Sequence, residues 1–229
     1  MSKFIINILF LGLVLSMQAQ DSIPVADSLK VKQKFGIRIG IDLSRPLIQK
    51  IQKEDLGFEI TADYRVAPNW YAAMELGYAS EPGSEDYLTF HTQGSYAKIG
   101  FNYNTYENWK DMNNEVYVGL RYGFSTFQQH LISYTTPDLD NYFEYHTFYP
   151  DKISKGLTGH WAEINVGLKV EVLNNLFLTT GVQFKKLISS KQPDGFSNLY
   201  IPGFNKVLTS NGGFGFNYTL AYLVPFYKK

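Results

Sequence analysis

Charged residues in this chain fall on one side of a two-residue repeat. From residue 35 to residue 44, apolar residues alternate with small or polar ones, and the alternation recurs in seven later segments. Successive side chains of a β-strand point to opposite faces, so the repeat predicts strands with one apolar and one polar face. The apolar faces carry no charge. The polar faces carry thirteen charged residues, namely Arg38, Asp42, Glu59, Asp63, Arg65, Glu75, Lys98, Glu115, Arg121, Glu163, Lys169, Glu171 and Lys185.

The length of these segments suits a bilayer. A tilted strand crosses the hydrocarbon region in roughly 9–11 residues. After residue 19, no segment approaches the run of about 20 apolar residues of a membrane helix, and a sheet in lipid must close because lipid cannot hydrogen-bond to an open edge. The sequence therefore predicts an all-β, eight-stranded antiparallel up-and-down transmembrane β-barrel. Its predicted strands are 35–44, 58–66, 70–78, 97–104, 115–124, 162–172, 176–185 and 214–224.

A soluble, lipocalin-like ligand carrier also alternates, but its apolar face points inward. Three features favour the membrane barrel. Glycines recur on the polar face, as at Gly77 and Gly123, where a crowded interior needs small residues. The polar faces carry six bases and seven acids, so buried charges can pair. Aromatic residues near strand ends, including Trp70 and Trp161, suit a belt at the membrane interface.

The connections between predicted strands alternate in length. Outer-membrane barrels have short periplasmic turns and longer extracellular loops, so the alternation predicts periplasmic termini. Residues 1–19 combine Lys3, an apolar run and Ala19 at the cut, which is typical of a cleavable signal peptide. We expect export to the outer membrane of a Gram-negative bacterium, with a periplasmic leader at 20–34 and the barrel at 35–227. The predicted extracellular loops are 45–55, 81–93, 128–160 and 188–212.

Composition excludes several classes of function. Formal net charge is zero, which gives no electrostatic basis for binding nucleic acid. The chain has no cysteine, and therefore no disulfide framework, thiolate metal site or lipoprotein anchor. We expect no cofactor and no metal site.

The whole pattern resembles the small eight-stranded outer-membrane barrels of the OmpA, OmpX and PagP kind. More narrowly, it resembles a Bacteroidota family of outer-membrane barrels of unknown function. The resemblance rests on the processing region 17–21, the opening strand and the aromatic final strand, and spans about residues 35–227. The ending at 222–227 resembles the signal that barrel assembly machinery reads during biogenesis, except that Lys228 and Lys229 follow it. The resemblance implies no ligand or reaction.

An eight-stranded barrel is just wide enough for its own side chains. We therefore interpret the thirteen charged residues as a structural network that fills a polar lumen. A small pore or solute channel is the alternative. We expect contact with outer-membrane lipid and lipopolysaccharide around the barrel.

The predicted loop 128–160 is the best candidate for binding an extracellular ligand. Exposed aromatic rings supply rigid contact area at low entropic cost, although they could instead pack on the barrel rim. A lipid-modifying enzyme is a third possibility, because His91, His130, His146 and His160 all fall in or beside long loops. No catalytic motif supports it, and we expect a structural or surface-recognition role in the outer membrane without catalysis. The candidate recognition residues are Tyr134, Tyr142, Phe143, Tyr145, His146, Phe148 and Tyr149.

Overall fold

The computed structural model describes residues 34–44, 57–85, 87–106, 113–137 and 145–228. The predicted signal peptide, nearly all of the leader, the loop 45–55 and two recognition residues, Tyr142 and Phe143, lie outside the described residues. In the described part of the chain, no helix is long and apolar enough to cross a membrane. The strands are β1 (Lys34–Asp42), β2 (Gly57–Ala67), β3 (Trp70–Glu85), β4 (Leu88–Asn104), β5 (Glu115–Pro137), β6 (Tyr145–Phe148), β7 (Lys152–Leu173), β8 (Leu176–Ser190), β9 (Tyr200–Ile201), β10 (Asn205–Lys206) and β11 (Gly212–Lys228).

Eight of these strands form a closed ring. Antiparallel pairs run from β1 through β2, β3, β4, β5, β7, β8 and β11, and β11 pairs back with β1. Closure gives both edges of every barrel strand a hydrogen-bonding partner over the paired part of its length. The predicted eight-stranded antiparallel up-and-down barrel is therefore confirmed.

The barrel is apolar outside and charged inside. Ile39, Met74, Ile99 and Ile164 are each about half exposed on the outer face. Their strand neighbours Arg38, Glu75, Lys98 and Glu163 are buried. A soluble protein places these two classes the other way round, whereas a barrel in lipid requires an apolar outer band. The fold is that of a transmembrane barrel.

The two ends of the barrel differ. At one end, which we call the turn end, two-residue turns join β2 to β3 and β7 to β8. Asn175 in the second turn has a φ of 65°, a left-handed conformation that asparagine tolerates better than most residues. Lys34 pairs with Lys228 at this same end. The opposite end, where β3 leads into β4 and β5 into β6, is the loop end.

Two predicted loops are largely strands at the loop end. Residues 81–85 of β3 pair with 88–92 of β4, within the segment 81–93 predicted as a loop. Most of 128–137 and 152–160, predicted as parts of another loop, lie in β5 and β7, and β6 adds to β5 between them. The prediction was wrong for these residues because it ended each strand where its apolar face ended. Above the lipid a strand needs no apolar face, and backbone pairing alone continues the sheet.

Candidate functional site

The lumen holds the thirteen charged residues predicted for it. Eleven of them are buried, and Asp63 and Glu171 are half-buried. A charge taken out of water is costly unless an opposite charge or hydrogen bonds compensate it. Most of these residues meet such partners in two clusters. We call the cluster nearer the turn end the lower cluster and the one nearer the loop end the upper cluster.

The lower cluster consists of Arg38, Asp63, Glu115 and Lys169, two bases and two acids. Arg38 Nε donates to Asp63 Oδ1 at 2.5 Å, and its two terminal nitrogens donate to the two oxygens of Glu115. Lys169 Nζ donates to Asp63 Oδ2 at 2.6 Å. The guanidinium carbon of Arg38 also lies 4.5 Å from the ring centroid of Tyr71. The cluster joins four strands and carries no net charge.

The upper cluster centres on Lys98. Its ammonium lies 2.7 Å from Glu75 Oε2, 3.1 Å from Glu59 Oε2 and 4.0 Å from Glu163 Oε1. Arg121 Nε donates to Glu75 Oε1 at 3.1 Å, and Lys185 Nζ lies 4.0 Å from Glu163 Oε2. The three acids and three bases of this cluster also balance. Its members are Glu59, Glu75, Lys98, Arg121, Glu163 and Lys185.

The other three predicted lumen residues, Arg65, Asp42 and Glu171, hydrogen-bond outside the two clusters. Arg65 Nε donates to the carbonyl oxygen of Pro68 at 2.9 Å in the β2–β3 turn. Asp42 Oδ1 accepts from the backbone N–H of Ser44 at 2.8 Å. Glu171 Oε1 accepts from Lys34 Nζ at 3.2 Å, which ties the start of β1 to the end of β7. The sequence placed these residues inside but could not separate them from the two clusters.

Trp161 does not lie in the membrane-interface belt predicted for it. It is fully buried inside the barrel, and a Cβ on Gly123 would lie 2.1 Å from its Cε2. Gly123 is therefore required so that the indole can lie across β5. The indole N–H donates to Glu163 Oε2 at 3.3 Å. The prediction was wrong because it considered only the position of Trp161 near a strand end, not the inward face on which it falls.

A short hairpin packs into the lumen above the upper cluster. This plug hairpin, residues 199–207, contains β9 and β10, and the N–H of Phe204 donates to the carbonyl of Ile201 at 3.0 Å. Gly203 adopts a φ of +84°, so Pro202-Gly203 forms the centre of the turn with the residue types that such a turn requires. Ile201 and Phe204 are fully buried. We predicted these residues only as part of an external loop, although apolar residues on both sides of a Pro-Gly pair were a visible signal.

Polar contacts hold the plug hairpin in place. Buried Gln129 of β5 donates to the carbonyl of Ser197 at 3.0 Å and accepts from the N–H of Leu199 at 2.9 Å. Lys185 Nζ donates to the carbonyl of Gly203 at 2.7 Å, so the hairpin also binds the upper cluster. The ring of Phe204 meets Trp161 edge-on with centroids 6.1 Å apart. Apolar side chains of the hairpin thus cover part of the lumen at the loop end.

Two pockets reach the charge clusters in the described part of the chain, and they do not share a lining residue. One, of about 40 Å³, lies between the clusters and is lined by residues such as Asp63, Glu75 and Arg121. The other, of about 610 Å³, is open at the loop end beside the plug hairpin, and its lining runs from Glu59 and Lys185 of the upper cluster to Phe214 and Phe216 on the outer face. The first is large enough for water but not for a solute.

The recognition residues that the structure describes lie at the loop end. Tyr145 is 58% exposed, Phe148 48% and Tyr149 75%. Phe148 stacks on Tyr134 with ring centroids 5.3 Å apart, and Tyr145 stacks on Tyr87 at 5.8 Å. His146 is exposed in β6 between them. Pairing of β6 with β5 therefore fixes the backbone that carries these rings while leaving much of their surface free.

The histidines form separate contacts. His91 Nε2 lies 2.9 Å from Ser80 Oγ, and His130 Nε2 lies 2.6 Å from Asp151 Oδ1. His160 Nδ1 lies 2.7 Å from the hydroxyl of Tyr122. Activation of a serine requires one histidine that contacts both the serine and an acid. Here Ser80 contacts His91, whereas Asp151 contacts His130. Within the described residues, no group of three or more histidine or acidic side chains could hold a metal ion.

Comparison with solved structures found Ail, the attachment invasion locus protein of Yersinia pestis. One structure is 9% identical with a TM-score of 0.37 and covers 83% of this chain and 97% of that chain. The second, in complex with the heparin analogue sucrose octasulfate, is 11% identical with a TM-score of 0.38, covering 83% and 99%. A likeness of this size carries no argument about function. No match was found among curated proteins. The family described as Domain of unknown function (DUF6048) matches residues 1–229, and the chain belongs to that family.

Proposed function

We propose that this protein is a non-catalytic outer-membrane barrel that binds an extracellular ligand through its loop end. The observation that carries the proposal is the exposed aromatic surface on β6 and Tyr149, held by a sheet that continues beyond the apolar band. Rigid exposed tyrosine and phenylalanine side chains lose little entropy on binding, which suits recognition. A signal peptide at 1–19, periplasmic termini and assembly by the barrel machinery are parts of the same proposal.

The filled lumen supports recognition over transport. The two charge clusters occupy the interior, and the plug hairpin covers part of it on the loop-end side. An eight-stranded barrel has no further width through which a solute could pass. A pore would instead give stepwise conductance in a planar bilayer, which we do not expect.

The test is binding by the full chain in detergent to arrays of glycans and immobilised extracellular proteins. We expect binding that is lost when Tyr145, Phe148 and Tyr149 are replaced together by serine, because the exposed rings supply the contact area. A matched control replaces Phe58, Phe214 and Phe226, equally exposed on the outer face of the barrel, by leucine. Equal binding by the parent chain and the triple serine variant would contradict the proposal.

A further inference from the structure

A groove runs along the outer face of the barrel, where lipid meets protein. It encloses about 580 Å³ between β4, β5, β7 and β8. Its walls are mostly apolar, and one lysine side chain lies on its edge. The lining residues that matter here are Leu120, Tyr122, Ala162, Ile164, Phe184 and Lys186.

The strand register explains the groove. Tyr122 pairs with Ala162, and Ala162 pairs with Lys186, so these three side chains form one row across three strands. Alanine is the smallest of the three and leaves a depression between a ring and a long amine. The next row toward the turn end is Leu120, Ile164 and Phe184, which continues the depression with apolar walls.

Lys186 lies at the edge of the apolar band. The outward positions of β8 before it, from Leu176 to Phe184, carry no charge. Ten residues separate Leu176 from Lys186, which corresponds to about 25 Å along the barrel axis for a strand tilted by roughly 40°. The apolar band of such barrels is about 25 Å tall. The groove therefore lies at the depth of acyl chains, and its lysine lies at the depth of headgroups.

Positive charge predominates on β7 and β8 above the groove. Lys186 lines the groove, and its ammonium donates to the carbonyl of Ser210 on the β11 side of β8 at 2.8 Å, which leaves two of its three N–H groups for other acceptors. Lys155 and Lys191 are exposed further toward the loop end. Nearby Asp151 is bound to His130. An amphiphile with an anionic headgroup and an acyl chain matches this arrangement in both charge and depth.

We propose that the groove binds one acyl chain of lipopolysaccharide, with a phosphate of its headgroup at Lys186. The choice of lipopolysaccharide depends on the proposed orientation, in which the loop end faces the outer leaflet. This proposal does not depend on ligand recognition by β6, because the groove and the aromatic surface at the loop end lie on different surfaces and use different residues.

Native mass spectrometry of the full chain in detergent, titrated with purified lipopolysaccharide or with phosphatidylglycerol, tests this site. Ala162→Phe fills the groove and Lys186→Gln removes its charge. Ala72→Phe, on the outer face of β3, and Lys206→Gln, at an exposed position of the plug hairpin, are matched controls away from the groove. We expect Lys186→Gln to bind lipopolysaccharide about fivefold more weakly, as expected for the loss of roughly 1 kcal/mol per basic residue at an anionic surface. Ala162→Phe should weaken binding by at least about as much, because its ring occupies the space of the acyl chain. The controls should bind like the parent chain.

The opposite results are equally clear. If Ala162→Phe and Ala72→Phe bind lipopolysaccharide equally, the groove is not the site. If phosphatidylglycerol binds as tightly as lipopolysaccharide, the assignment of the occupant is wrong. The gel shift between boiled and unboiled samples shows that each variant is a folded barrel. Loss of glycan or protein binding in the β6 variant with retained lipid binding would separate the two proposals.

Discussion

At the residue scale, the barrel interior is organised by individual charge contacts. Arg121 donates to Glu75, to Asn102 and to the carbonyls of Phe101 and Leu120. Glu163 is less well satisfied, since its Oε1 accepts no hydrogen bond from the described residues and lies 4.0 Å from Lys98. Buried charges with many partners are costly to lose, whereas poorly paired ones contribute less.

Arg121→Met should lower the free energy of unfolding by about 3–5 kcal/mol, because it leaves Glu75 buried with one partner fewer. Glu163→Leu should act in the same direction but less strongly. Urea unfolding of the barrel in lipid vesicles measures both. Lys155→Met, at an exposed position of β7, is the control and should change the free energy by less than about 0.5 kcal/mol. If both lumen variants unfold like the parent chain, the charges do not stabilise the barrel.

At the element scale, the plug hairpin is a separate unit that the barrel wall holds in place. Its turn depends on Pro202 and Gly203, and a Cβ on Gly203 would lie 2.7 Å from the ring of Tyr96. Its attachment to β5 depends on the two hydrogen bonds of Gln129. The barrel strands pair independently of these contacts, so the hairpin can be loosened without unfolding the barrel.

Gln129→Leu should expose the hairpin to trypsin, because it removes both hydrogen bonds to the segment before it. We expect faster cleavage after Lys191 or Lys206 in detergent, with an unchanged shift between boiled and unboiled samples. Gln128→Leu, one residue earlier on β5, serves as the matched control and should be cleaved at the parent rate. Equal cleavage of the two variants would mean that Gln129 does not hold the hairpin.

At the scale of the whole molecule, the two ends of the barrel have different structures. The turn end carries the two-residue turns, the start of β1 and the end of β11, and the loop end carries the extended sheet with β6. Outer-membrane barrels place long connections outside the cell, which is the basis of the proposed orientation.

Single cysteines test that orientation, because the chain has no cysteine of its own. Tyr149→Cys lies at the loop end and Asn174→Cys at the turn end, and both positions are exposed. We expect a membrane-impermeant maleimide to label Tyr149→Cys in intact cells, and Asn174→Cys only after the outer membrane is permeabilised. The reverse labelling would invert the orientation and remove the lipopolysaccharide assignment.

The sequence by itself determined the barrel. Alternation with a period of two is a local property, and it identified eight strands and the face of each that bears charge. It could not show where strands end above the lipid, because there the apolar face that marks a strand is no longer needed. For this reason the segments 81–93 and 128–160 were predicted as loops, although they lie largely in strands.

Only the tertiary structure decided which charges meet and what covers them. Lys169 meets Asp63 across 106 positions of sequence, and Gln129 meets Leu199 across 70. Such contacts depend on the register between strands and on the stagger that closes the ring, which no single strand encodes. The inward position of the plug hairpin and the groove at Ala162 have the same origin. Each arises where side chains from several strands converge at one height of the barrel.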